Sequence, residues 1–502
     1  MPDALLGLAT GFSAALALDN LLFCLLGVVI GTLVGVLPGI GPLGGMALLL
    51  PLTYHVTPMQ GIIMLAGIFY GTQYGGSTTS ILMNMPGEIG SVVTCLDGHQ
   101  MALKGRAGAA LGISAFGSFA GGTLSVAALM LIAPPLATAA MAFGPPEYFT
   151  LLLLGVFLTT SLGGGPKLKS LMMAFLGLFL GTIGIDMMTA DERFVFGSLT
   201  LMDGIGIAPV AMGLFGVAEI LSNLTKATPS DKPQIVQAHV KDLLPTAQEW
   251  RRSGMPIARG AVLGFLLGIL PGGGAIMSSF ASYALEKKLS KYPQQFGHGA
   301  IEGVAGPETA NNAATGGALI PLLTLGVPAT GAMAVLMAAF LIHGLQPGPL
   351  LMAKNPELFW GIIASMYIGN VILLALNLPL IGVWVQVLKI PGAVLFPLIL
   401  LFAIIGCYSV SSNVYEVVLM VVFGLMGYVL RKFDFNPTPA VFGLILSPLI
   451  ENAFRQSLAM NEGLQIFVTR PIACAFLVFL VLAIAWPVLT PAQWRHKAPE
   501  LP

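Results

Sequence analysis

The chain is a succession of apolar stretches, and no other feature limits its fold so strongly. They run at 20–37, 57–73, 107–133, 147–162, 168–188, 205–222, 260–281, 313–345, 357–378, 389–407, 414–430, 437–450 and 471–489. A helix crossing the hydrocarbon core needs about 20 apolar residues, so there is room for roughly ten to twelve crossings. Backbone groups in lipid must be paired internally, which leaves α-helices or closed barrels. Barrel strands alternate apolar with polar and give a weak hydropathy signal, whereas mean hydropathy here is +0.89. Only 9% of the 502 residues are charged, too few for a soluble enzyme, where about 25% is usual. A hydrophobic content of 56% excludes disorder, which needs low hydrophobicity. The expected fold class is all-α: a polytopic membrane protein with about 10–12 transmembrane helices.

Zero net charge gives no electrostatic case for nucleic acid. Cys24, Cys95, Cys407 and Cys474 are scattered and support neither a disulfide framework nor a zinc site. The N-terminus lacks the cationic n-region of a cleavable signal peptide, so the first apolar segments are expected to be retained.

The chain repeats itself. Gly27, Gly31, Gly35, Pro38, Gly39 and Gly41 recur as Gly260, Gly264, Gly268, Pro271, Gly272 and Gly274, at a constant offset. A looser pair follows: Gly75-Gly76 precedes Pro86 as Gly316-Gly317 precedes Pro328, with a one-residue length difference. We therefore expect a first membrane repeat at 1–222, a polar linker at 223–255 and a second repeat at 256–502. Repeated halves with interrupted helices point to a secondary transporter. No Lys or Arg precedes Lys104, whereas Arg251, Arg252, Arg259, Lys287, Lys288 and Lys291 flank the second motif on both sides. The positive-inside rule puts both flanks in the cytoplasm. That predicts a re-entrant hairpin there, its counterpart entering from the opposite face, and hence inverted repeats.

The Gly-x3-Gly runs place small residues on one helix face, where another helix can approach closely. The Pro-Gly-x-Gly that follows should break the helix at 38–41 and 271–274. Broken backbone at membrane depth is tolerated where it is buried or lines a cavity, and there it can hold ions. The run from Tyr74 through Gly75, Gly76, Ser77, Thr78, Thr79 and Ser80 reads as a helix N-terminus whose amides and hydroxyls suit a carboxylate. The plainer reading is that these hydroxyls bond back to their own helix. Asn84-Met85-Pro86-Gly87 breaks the chain again. In 307–317, Asn311 and Asn312 enter an apolar run and should face a protein or watery interior. They offer donors and acceptors to a polyoxygenated ligand, or hydrogen bonds between helices.

Asp186, Asp203, Glu219, Glu308 and Glu416 are acids in or near apolar segments, each able to carry a coupling proton or cation. Glu308, beside the Asn pair, is the strongest candidate. His298 and Glu302 are spaced to share a helix face, more in the manner of a surface contact than a catalytic dyad. Gly39-Ile40-Gly41-Pro42-Leu43-Gly44 matches G-x-G-x-x-G, but it follows a membrane segment rather than a strand, and no P-loop is present, so nucleotide binding is rejected.

Three motifs carry a family resemblance: GVVIGTLVGVLPGIG at 27–41, YGTQYGGSTTSILMNMP at 70–86, and GVAGPETANNAATGGALIPLLTLGVP at 303–328. Together they resemble the large membrane subunit, TctA, of the tripartite tricarboxylate transporter family, over essentially residues 20–490. Gly306 and Thr309 depart from the commoner family pattern, where Ala is frequent. The resemblance implies a multi-pass subunit of the bacterial inner membrane that works with a small membrane subunit and a periplasmic solute-binding protein. It implies cation-driven uptake of organic carboxylates and no enzymatic activity.

The reading is then cation-coupled import of a di- or tricarboxylate. Substrate would meet Tyr74, Gly75, Gly76, Ser77, Thr78, Thr79, Asn84, Asn311, Asn312, Thr315, Gly316 and Gly317. A coupling Na⁺ or H⁺ would sit near Pro38, Gly39, Gly41, Pro271, Gly272, Gly274 and Glu308, with no cofactor. With so few cations in the apolar segments, the anion is expected to be held by backbone dipoles, hydroxyls and amides. Movement of a substrate-carrying body against a scaffold is an analogy to other repeated transporters. The alternatives are a membrane-embedded enzyme using His298, Glu302 or Ser77, which lacks HExxH and Gly-x-Ser-x-Gly, and a passive channel or scaffold.

Overall fold

The computed structural model describes residues 2–37, 39–162, 166–186, 188–226, 236, 242–388, 390, 392–460 and 463–489. The first part of the chain forms α1 (Pro2–Ala15), α2 (Leu18–Val36), α3 (Gly41–Leu49), α4 (Pro58–Met83), α5 (Val92–Met101), α6 (Ala107–Ala140), α7 (Pro145–Leu162) and α8 (Lys167–Leu180). A two-stranded hairpin, β1 (Gly184–Ile185) with β2 (Glu192–Arg193), leads to α9 (Leu199–Met202), α10 (Ile207–Ala211), a π-helical turn (Met212–Val217) and α11 (Ala218–Lys226). The rest forms α12 (Ala247–Gly268), α13 (Gly274–Leu289), α14 (Glu302–Leu325), α15 (Gly331–Ile342), α16 (Pro349–Lys354), α17 (Pro356–Asn377), α18 (Ile381–Val387), α19 (Gly392–Ser411), α20 (Val414–Lys432), α21 (Thr438–Ala459), α22 (Ile466–Thr469) and α23 (Pro471–Leu489).

This is the expected all-α polytopic fold. Among the described residues, five helical stretches are long and apolar enough to cross a membrane: Leu18–Val36, Ile89–Ala140, Ile207–Thr225, Pro356–Asn377 and Val414–Lys432. The bent pair around Arg470 makes a sixth. Other apolar segments are realised as interrupted helices, such as α3 and α15, or carry polar side chains, as α14 does. The expected linker is shorter than its polar composition suggests. Thr246 and Glu249 form a capping box, with Glu249 N–H donating to Thr246 Oγ1 at 3.3 Å and Thr246 N–H to Glu249 Oε2 at 2.6 Å. This starts α12 inside the stretch; residues 227–235 and 237–241 lie outside the described residues.

The glycine stripes serve helix packing. A Cβ on Gly27, Gly31 or Gly35 of α2 would strike the carbonyl oxygen of Met64, Ile68 or Thr72 on α4. On α12, Gly260, Gly264 and Gly268 oppose the carbonyls of Gly306, Ala310 and Ala314 on α14 in the same way. The contact also settles the looser repeat. Gly75 faces the Thr32 carbonyl as Gly317 faces that of Phe265, so Gly75 corresponds to Gly317, and Asn84, Pro86 and Glu88 to Gly326, Pro328 and Thr330.

α12 and α13 fold against each other as a helical hairpin, and Arg259 on one limb grips Glu286 on the other (Nε to Oε1 2.8 Å). Arg252 meanwhile holds Glu302 with two bonds of 2.8 Å. That removes Glu302 from any dyad with His298, which precedes α14 and whose carbonyl accepts from Lys104.

The helices form two regions. In one, α2, α4, α6, α12, α14 and α17 pack together; in the other, α7 and α8 pack on α21, and α20 on the π-helical turn. α3 and α15 touch both regions.

Candidate functional site

Between these regions lies a cavity of about 580 Å³. Its lining is built from chain breaks: residues 39–44, 86–89, 272–276, 330–332 and 436–439. At each break a helix begins and presents its first residues to the cavity: α3, the 3₁₀ turn (Ile89–Ser91) leading into α5, α13, α15 and α21. The first turn of a helix carries unpaired N–H groups and the positive end of its dipole. Phe69 and Gln73 of α4, Ala314 and Ala318 of α14, Thr159, Phe215 and the Glu219–Arg431 ion pair complete the wall.

The breaks follow from backbone chemistry. Gly39 (φ 96°) and Gly272 (φ 105°) hold matched positions in the left-handed region, which a residue with a Cβ enters at a cost. Gly272 N–H donates to the Ala329 carbonyl (2.8 Å), tying one break to the next. α4 and α14 both end on a left-handed residue, Asn84 (φ 56°) and Gly326 (φ 70°), the residue types best suited to that cap. The polar residue four places on caps the next helix. Glu88 accepts from Gly90 N–H (2.6 Å) and Thr330 from Met333 N–H (3.3 Å).

Of the expected ion-coupling residues, Gly39, Gly41, Gly272 and Gly274 line the cavity, Pro271 stands beside it, and Pro38 lies outside the described residues. Glu308 sits behind the wall, 1% exposed. It accepts hydrogen bonds from the Ser77 and Thr94 hydroxyls, with Ser114 and Ser118 also bonded to it.

The expected substrate residues are not in the lining. The run from Tyr74 to Ser80 does not open a helix: α4 passes through it unbroken. Its hydroxyls serve helix packing, because in lipid they pair with nearby carbonyls. Ser80 Oγ donates to the Gly76 carbonyl (3.0 Å) and Thr79 Oγ1 to that of Val36 (2.7 Å), while Ser77 gives its one proton to Glu308. Thr78 is buried in the same helix. Gly75 and Gly317 are contact points for neighbouring helices, and Gly316 abuts Ser125. Asn84 is an exposed cap. Tyr74 donates to Asn370 (2.6 Å), Asn312 to Ser118 (2.7 Å), and Thr315 to the Asn312 carbonyl (2.7 Å). Tyr74, Asn312 and Thr315 border a second cavity of about 10 Å³, room for a water molecule and no more. Asn311 and Gly76 reach the main cavity's wall at Glu88: Asn311 donates to Glu88 Oε1 at 2.8 Å, and a Cβ on Gly76 would stand 2.8 Å from Glu88 Cγ.

The polar lining groups Gln73, Glu88, Thr159, Thr330, Arg431, Asn436 and Thr438 escaped the sequence reading. Glu88 and Thr330 had a readable signal, since each follows a matched proline by two residues at the start of a helix. Arg431 had none, because its partner Glu219 is 212 positions away.

Compared with known proteins, the chain matches the model of the tripartite tricarboxylate transporter TctA family over residues 21–442. It is 51% identical over 478 residues to an uncharacterised 52.8 kDa protein from the TAR-I ttuC' 3' region of Agrobacterium vitis, covering 95% of each chain. It is 54% identical over 215 residues to an uncharacterised protein from the TAR-II ttuC' 3' region of the same organism, covering 43% of this chain and 89% of that one. No solved structure matches it.

Proposed function

Because the chain belongs to the tripartite tricarboxylate transporter TctA family, we propose that it is the membrane subunit through which a di- or tricarboxylate is imported by cation-coupled secondary transport. The convergence of five helix starts on one cavity carries this reading. Backbone N–H groups at helix N-termini bind anions without a fixed cation. The cavity's one described lining cation, Arg431, is already engaged by Glu219. A volume of about 580 Å³ falls within the roughly 300–1,000 Å³ of small-molecule sites, room for a substrate of citrate size.

A periplasmic solute-binding protein delivers the substrate in this reading, and a small membrane subunit completes the transporter in a bacterial inner membrane. The coupling ion, Na⁺ or H⁺, uses the breaks at 38–41 and 271–274 or Glu308. Residues 1–222 and 256–502 act as two repeats of inverted orientation, and the cavity's place between two packed regions suits movement of one against the other. The substrate residues are then those of the breaks, with Asn311 and the rest of the polar run on α4 and α14 supporting the wall from behind.

Proteoliposomes holding the chain with its other subunits test the reading. Labelled citrate or succinate should accumulate, saturably, when an H⁺ or Na⁺ gradient is imposed. Accumulation that persists without any ion gradient defeats the coupling claim, and uptake that never saturates points to a passive pore.

A further inference from the structure

The cavity's charge does not balance for an anion. Arg431 and Glu219 neutralise each other across one wall, and Glu88 on the opposite wall has no such partner among the described residues. It is 6% exposed, and the groups bonded to it are neutral. Gly90 N–H donates to Oε2 at 2.6 Å, Asn311 Nδ2 to Oε1 at 2.8 Å, and the Gln73 amide lies 3.1 Å from both oxygens. The acid nearest in effect is Glu308 on α14, which repels Glu88. Of the other titratable groups on the elements around this elbow, Asp97 of α5 is bonded to Tyr283 of α13, Glu286 of α13 is taken by Arg259, Cys95 of α5 faces Ser80, His99 of α5 is bonded at Nδ1 to the Ile81 carbonyl (2.9 Å), and Lys287 and Lys288 stand exposed at the far end of α13. Among the described residues, no cation is bonded to Glu88. A carboxylate ligand placed beside an ionised Glu88 would put like charges together in a poorly solvated space, which strongly disfavours the doubly ionised state.

We propose that Glu88 carries a proton into the complex: the cavity accepts its anionic substrate with Glu88 protonated and releases it when Glu88 ionises. The proposal rests on the reading of the cavity as a carboxylate site and places the coupling proton at Glu88 in preference to Glu308 or the breaks at 38–41 and 271–274. The proton comes from water through the cavity, to which Glu88 opens, and no other bond is made or broken. Gln73 serves both states. With its nitrogen toward Glu88 it donates to the carboxylate. Turned over, it puts its oxygen in that place and accepts from the protonated acid. Space for the side chain comes from Gly76, where a Cβ would stand 2.8 Å from Glu88 Cγ.

The test is titration calorimetry of the detergent-solubilised transporter with citrate and with succinate, in buffers of different ionisation enthalpy. It is run over pH values at which both probes are fully ionised. The wild type should take up one proton per bound anion, so Kd rises about tenfold per pH unit once free Glu88 is ionised. In Glu88→Gln that slope should flatten and the proton uptake vanish; Glu88→Asp should keep both. Anion binding without proton uptake in the wild type, an unchanged slope in Glu88→Gln, or a requirement for Na⁺ in place of the pH dependence each overturns the proposal and leaves the carboxylate reading standing. Failure of the wild type to bind either probe at any pH instead overturns the carboxylate reading, and the proposal falls with it.

Discussion

The elbow after α4 and the elbow after α14 share a backbone. Each turns on a left-handed residue, Asn84 or Gly326, passes a proline two residues on, and caps the next helix with a side chain, at Glu88 or Thr330. Their chemistry differs. One cap is an acid facing the cavity and the other a neutral hydroxyl. Behind the acid stands Gly76, which leaves it space; the corresponding position behind Thr330 is Ala318. The helices differ likewise: Glu308, Asn311 and Asn312 on α14 correspond to Ala66, Phe69 and Tyr70 on α4. The two matched stretches share close helix contacts, which depend on the absence of side chains. Charge was free to collect in one place, because a single acid alters no helix-to-helix distance.

The largest expected effects test the shared part. Gly31→Val and Gly264→Val each drive a Cβ into a facing carbonyl, of Ile68 or Ala310. Each should lower stability by about 3 kcal/mol, the upper end of ordinary overpacking, and to a similar extent, read as thermal unfolding in detergent. A tolerated substitution in only one half would break the equivalence. Arg259→Ala should cost about 3 kcal/mol, since it strands the buried Glu286 carboxylate; charge-neutral Arg259→Ala/Glu286→Gln should recover much of that loss.

Next comes the part that is not shared. Glu88→Thr gives the first elbow the second elbow's cap, and it should reduce pH-gradient-driven uptake at least tenfold, about 1.4 kcal/mol. Thr330→Ser, which keeps a hydroxyl cap, should change uptake less than twofold. Equal losses in the two variants would show that capping, not charge, is what matters. The smallest loss of stability should come from Asn84→Ala, about 1 kcal/mol, because Ala resists the left-handed region. Asn84→Gly should be neutral, as the natural Gly326 suggests.

Much of this fold is legible in the sequence. Apolar runs at 357–378 and 471–489 become α17 and α23 almost residue for residue, because long uninterrupted hydropathy has one solution in lipid. The breaks are legible too, since Pro and Gly act locally. The polar chemistry is not. Four consecutive hydroxyls look alike at a helix start and in a helix interior, and only the neighbouring carbonyls decide between them. Residues 247–255 look like linker by charge, although the Thr246 and Glu249 spacing announces a helix start. The depth of Glu88 depends on Gly76 and Asn311, and the neutralisation of Arg431 on Glu219; such pairings are made by folding, not by proximity in the chain.

The ring of helix starts around the cavity has a consequence for how uptake should respond to acidity. Backbone amides do not titrate in the physiological range, so their hold on an anion is constant from acid to alkaline conditions. Acidity can then reach the substrate only through the wall's ionisable side chains and through the substrate's own ionisation. A receptor surface that is silent to pH makes a single acid in its midst an unusually clean sensor.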